Sequence, residues 1–223
     1  MKRQQIARAL FMAAALLLAV PAAVAGSIMG SPHDFTAFNW SGGQVCIACH
    51  NPQNSNPTVT VAPQWNHTLS TTSYTLYSTP TLKASVGQPG MRSKLCLSCH
   101  DGTVAVDSYR GSLGMSAPTG TTFISGANNL GTNLSVHHPS SFVYDAALAT
   151  ANGSLWNPTS KVVTVGAGAQ QKTGPVSTVM LSGGQVQCSS CHDVHNTYTN
   201  PSAPKLLKMS MARSAMCFAC HNY

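Results

Sequence analysis

All eight cysteines of this chain fall into one arrangement, Cys-x-x-Cys-His, which occurs four times. The copies are Cys46, Cys49 and His50; Cys96, Cys99 and His100; Cys188, Cys191 and His192; and Cys217, Cys220 and His221. No cysteine is left over. A disulfide framework, a zinc knuckle or a thioredoxin-like redox pair would have to use these same thiols. None of those alternatives requires a histidine directly after the second cysteine, whereas covalent attachment of a c-type haem does.

The spacing follows from that chemistry. Two thiols three positions apart on a tight helical turn can each form a thioether with one vinyl group of a porphyrin, and the next residue turns its imidazole toward the iron. The pattern predicts four covalently bound c-type haems, with His50, His100, His192 and His221 as proximal iron ligands.

Composition closes off other classes. Only 8% of residues are charged, where an ordinary domain carries about 25%. Five scattered Asp and no Glu do not make a paired-carboxylate hydrolase or an oxygen cage for calcium. Three of the twelve basic residues, Lys2, Arg3 and Arg8, sit in the leader, and the remaining nine are too thinly spread for nucleic acid. Residues 1–25 read as a signal peptide, with that positive start, an apolar run broken by Pro21, and Ala23-Val24-Ala25 before Gly26. The apolar run is far short of the ~20 residues a membrane span needs. The expectation is an exported protein at the cell surface or beyond it, with the periplasm as the alternative, and no membrane span.

The four motifs sit in a duplicated frame. Ser41-Gly42-Gly43-Gln44-Val45 leads into the first and Ser182-Gly183-Gly184-Gln185-Val186 into the third. Met91-Arg92-Ser93 precedes the second, and Met211-Ala212-Arg213-Ser214 the fourth. Residues 26–223 are therefore read as one domain of two dihaem half-units, about 26–110 and 182–223, joined by a loop-rich and hairpin region over 111–181. Within it, 111–134 reads as loop, 161–165 and 176–181 as the arms of a hairpin, and 58–61 as a third short strand. Short helices are expected on the motifs and over 205–212. The fold class is mostly irregular coil with short α-helices and a few short β-strands, wrapped around a stacked chain of haems.

Five histidines remain, His33, His67, His137, His138 and His195, for four irons that each need a sixth ligand. Neutral imidazole suits haem iron, and methionine, the competing ligand, is ordinarily packing filler. Bis-histidine coordination is expected at all four haems. His195 lies three residues after His192 and cannot reach the other face of the same haem, so it is expected to serve a neighbour. His137 and His138 point to opposite sides of an extended segment before Pro139, so both could ligate or one could be spare. His33 sits in an N-terminal arm, and an arm carrying a free ligand suggests donation between subunits.

These residues resemble the extracellular multihaem c-type cytochromes with doubled CxxCH units. The resemblance is carried by Gly30-Ser31-Pro32-His33-Asp34, Trp65-Asn66-His67, Cys96 to Thr103, His138-Pro139-Ser140-Ser141-Phe142, and Cys188 to Asn196. In haem count and length the chain looks like the filament-forming, tetrahaem members. That resemblance implies bis-histidine haems in a continuous stack, with one axial histidine supplied by an adjoining subunit. The first motif departs from the family's CHxPH, continuing Asn51-Pro52-Gln53, which makes His67 the natural substitute for that imidazole. The family's HP phrase is preceded by an acidic or amide residue, which makes His137 the spare.

The functional expectation is electron transfer rather than bond-making. Four ferric cores and eight propionates added to a mildly basic polypeptide come close to neutral, a condition that favours self-association. The expected partners are identical subunits in a polymer, with His33 as the donated ligand, together with redox partner cytochromes or extracellular metal oxides. The rivals are a monomeric periplasmic shuttle and a multihaem reductase with an open iron.

Overall fold

The computed structural model describes residues 28–109, 120–197 and 205–223. The expected signal peptide, 1–25, and the 111–119 part of the expected loop lie outside the described residues. Most of the chain is turn and coil, as a sequence rich in Gly, Ser, Thr and Asn requires. Regular elements are short: α1 (Met91–His100), β1 (Phe142–Val143), α2 (Ala146–Asn152), β2 (Val162–Val165), β3 (Lys172–Pro175), α3 (Val176–Val179), β4 (Gln185–Val186) and α4 (Cys188–Cys191).

Helical turns centre on three of the four motifs. The second motif ends α1, the third forms α4, and the fourth holds a 3₁₀ turn at Cys217–Ala219. The first is a run of turns.

Two sheets of two strands each hold the 142–186 region. β1 pairs antiparallel with β4, Phe142 opposite Val186, and β2 pairs antiparallel with β3, Val165 opposite Lys172. Their inward residues form a core of Phe142, Tyr144, Val163, Val165, Val176 and Met180, onto which Ala219 of the fourth motif packs. The helix α2 is capped by Asp145, whose side chain accepts from Leu148 N–H, and is ended by Gly153 at φ 74°, a left-handed position that suits glycine. A second, smaller cluster of Ala62, Trp65 and Leu95 packs with Cys49, Val59, Val61 and Leu69 between the first and second motifs.

Three expectations are corrected. The hairpin's second arm is 172–175, and 176–179 is a helical turn: Val176 N–H donates to Lys161, the ladder ends at Pro175, and Met180 N–H closes the turn onto Val176. No strand forms at 58–61. No α-helix forms over 205–212, where only a 3₁₀ turn begins at Ala212, because Lys205 and Leu206 take φ of 61° and 57° and lead into a bridge between Leu207 and His192.

Candidate haem-attachment site

The first, third and fourth motifs are held by the same main-chain clasp. In each, the histidine forms an antiparallel bridge with a distant residue, His50 with Trp65, His192 with Leu207, His221 with Leu155. The residue after that partner donates its N–H to the second cysteine's carbonyl: Asn66 to Cys49 at 2.7 Å, Lys208 to Cys191 at 2.8 Å, Trp156 to Cys220 at 2.8 Å. The residue before it accepts from the residue after the histidine: Gln64 from Asn51, Leu206 from Asp193, Ser154 from Asn222. Nothing in the side chains of 64–66, 206–208 and 154–156 announces this, which is why sequence reasoning missed it.

The clasp also orients the imidazole. His50 Nδ1 lies 2.6 Å from the Pro63 carbonyl and His192 Nδ1 3.0 Å from that of Lys205, while His100 Nδ1 lies 2.8 Å from the Asn128 carbonyl. A carbonyl only accepts, so Nδ1 carries the hydrogen and Nε2 keeps its lone pair, the arrangement of metal-ligating histidines.

Two of the remaining histidines face proximal ones. The His33 and His100 ring centroids are 5.9 Å apart, and those of His50 and His195 are 6.1 Å apart. Two imidazoles on opposite sides of one metal, with nitrogens ~2 Å from it, place their centroids roughly 6 Å apart. The buried His33 Nδ1 has no hydrogen-bond partner. Burial first, then His100, His192 and His195, push the His33 pKa down to about 4, so at neutral pH its ring is uncharged and able to bind a metal. His138, its Nδ1 2.9 Å from the Pro139 carbonyl, lies within electrostatic reach of His221.

His67 and His137 are placed differently. Among the described residues, neither makes a ring contact with a proximal imidazole. His67 is buried against the second motif, with Nε2 3.4 Å from Cys99 Sγ and 3.0 Å from the Ala105 carbonyl, and Nδ1 2.7 Å from the Thr68 carbonyl. A neutral imidazole donates from one nitrogen only, so one of those carbonyls receives no hydrogen. The imidazole that faces His50 is that of His195. Within the single chain the His33 ring meets that of His100.

The thiols run in chain order. Cys49 lies within electrostatic reach of Cys96 and Cys99, Cys96 within reach of Cys188, and Cys191 within reach of Cys217. Burial and nearby Cys46 push the Cys49 thiol up to about 11, and burial with Cys191 and Cys217 pushes Cys220 up to about 12, so these sulfurs are held as thiols. At the central junction Ser93 and Gln187, both fully buried, tie α1 to α4. Ser93 N–H and Oγ donate to Gln187 Oε1 at 3.0 and 2.6 Å, and Cys188 N–H donates to Ser93 Oγ at 3.1 Å.

Beside the second motif, Asp101 is a buried carboxylate with four donors: Ser70 Oγ and Tyr74 Oη at 2.6 Å, and Thr103 N–H and Oγ1 at 2.8 Å. Burial would raise its pKa, but these hydrogen bonds outweigh that and hold it below the ordinary value.

The donor set fits a covalent haem: paired thiols on short turns, imidazoles fixed for Nε2 ligation, and opposed rings at iron-sandwich distance. The family described as the doubled CXXCH motif matches residues 181–223, the second pair of motifs. No curated protein matches the chain. The CXXCH motifs imply covalently bound c-type haem, and the match supports a multihaem c-type cytochrome with haem-binding electron transfer as its chemistry. No helix among the described residues is long and apolar enough to cross a membrane.

Proposed function

We propose that this protein carries four bis-histidine c-type haems in a continuous series and serves as the subunit of an extracellular filament that conducts electrons to acceptors outside the cell. The observation that carries the reading is the pairing of His33 with His100 and His50 with His195, added to thiol pairs that lie within electrostatic reach of one another in the order one to four. Bound haem supplies a one-electron iron(II)/iron(III) couple. The residues here would hold it: the clasps fix three of the proximal histidines, His33 and His195 would stand opposite His100 and His50, and an iron saturated by imidazoles would exchange electrons without gaining or losing a ligand.

Self-association follows from the surface. Both ends expose apolar side chains, Met29 and Phe38 in the arm, Phe218 and Tyr223 at the last motif, with Tyr223 77% exposed. Those side chains are the proposed contact between identical subunits, with His33 the imidazole that would reach His100 of its own chain or of a neighbour. Redox partner cytochromes and extracellular metal oxides are the proposed electron donors and acceptors.

Mass spectrometry of the purified protein is expected to show four haem additions, and electron microscopy of shed material to show filaments. A colourless chain of bare polypeptide mass would overturn the haem reading, and monodisperse subunits would leave a shuttle. Rapid stoichiometric carbon monoxide binding to the reduced protein would instead identify a reductase with an open iron.

A further inference from the structure

Trp65 is 8% exposed, and its indole N–H has no hydrogen-bond partner. A buried N–H left unpaired costs ~1–3 kcal/mol, and native proteins rarely tolerate one. The ring lies among Ala62, Leu95, Cys49, Val59, Val61 and Leu69. Those side chains offer a water almost nothing, and a buried water needs two to four polar partners. The nearby rings do not help. His50 meets Trp65 edge-on at 6.0 Å with its Nδ1 turned to Pro63, and both nitrogens of His67 face main-chain carbonyls. What Trp65 does have is position. It packs on Cys49 of the first motif and contacts His67, which touches Cys99 of the second.

We infer that Trp65 is a haem-propionate anchor: its indole N–H donates to a propionate carboxylate of a haem bound at the first two motifs. The inference rests on the haem reading above. Propionates are the strong acceptors on a porphyrin's rim, and a charge-assisted hydrogen bond from a buried donor is the kind that fixes a carboxylate. The bond would set the haem's rotation about its thioether edge, which the cysteines alone leave loose. Trp40 Nε1 shares the unpartnered condition, but its ring is only half-buried, so the argument is carried on Trp65.

The test is resonance Raman spectroscopy of the haem-loaded protein and of Trp65→Phe, with haems counted by mass in both. The expected result is an unchanged haem count with one component of the propionate bending envelope shifted to lower frequency. An unmoved envelope at full haem load overturns the inference. A wild-type protein without haem overturns the proposed function instead, so the two failures separate. If Trp65→Phe does not accumulate, Trp40→Phe/Trp156→Phe leaves Trp65 as the sole indole for ultraviolet Raman. A hydrogen-bonded, slowly exchanging N–H in the loaded protein is expected there, and a free N–H overturns the anchor.

Discussion

A carboxylate that accepts four hydrogen bonds keeps its charge because protonation would turn an acceptor into a donor that nothing nearby can receive. Asp101 is held below its ordinary 3.8 in the folded chain, so the stability it contributes is present above that value and lost as pH falls through the lower folded one. Asp101→Asn is expected to cost about 2 kcal/mol at neutral pH, with the gap to wild type closing under acid, as thermal melts across pH will record. A second prediction concerns Gln64, exposed and at φ 52° within the first clasp. Left-handed backbone costs a side chain about 1–2 kcal/mol, so Gln64→Gly is expected to stabilise by about 1 kcal/mol in urea titrations, although it replaces a residue at the site. His195→Ala is expected to leave one iron open, seen as carbon monoxide binding to one haem in four.

At the scale of elements, the junction of α1 and α4 is one hydrogen-bonded unit across the duplication. Ser93→Ala and Gln187→Ala are each expected to cost about 1–2 kcal/mol, and the double variant less than their sum, because both remove the same bonds. Soret circular dichroism should lose part of its inter-haem couplet in either variant at unchanged haem content. This junction explains what sequence could and could not supply. The helices at Cys96 and Cys188 were legible because the attachment chemistry demands a turn there. That the two turns abut was not, since Ser93 and Gln187 lie far apart in the chain and look like ordinary polar leader residues. The hairpin was half legible: Val162 to Val165 is β-branched and pairs as expected, but Val176 is buried in a helical turn by packing that overrides its propensity. Over 205–212, helix-forming side chains lost to main-chain bonds that the clasp required.

For the whole molecule, the proposed electron path follows the chain order of the thiol pairs. Removing a central attachment, Cys188→Ala/Cys191→Ala, is expected to lower film conductance far more than removing the terminal pair, Cys217→Ala/Cys220→Ala, though each loses one haem by mass. The proximal set could be read directly from the motifs because its chemistry is written in side chains. The pairing of His195 with His50, and of His33 with His100 within one chain, depends on how loops return, and spacing along the chain carries no record of that.

The clasp has a consequence for how such chains change over generations. Its bonds run through peptide groups, which every residue except proline supplies in full, so the strips that grip three of the histidines are free to exchange almost any letter for another. Related molecules would then keep the gripping geometry while losing textual likeness, and lengthening the series of motifs would need only one more gripped link spliced into a loop.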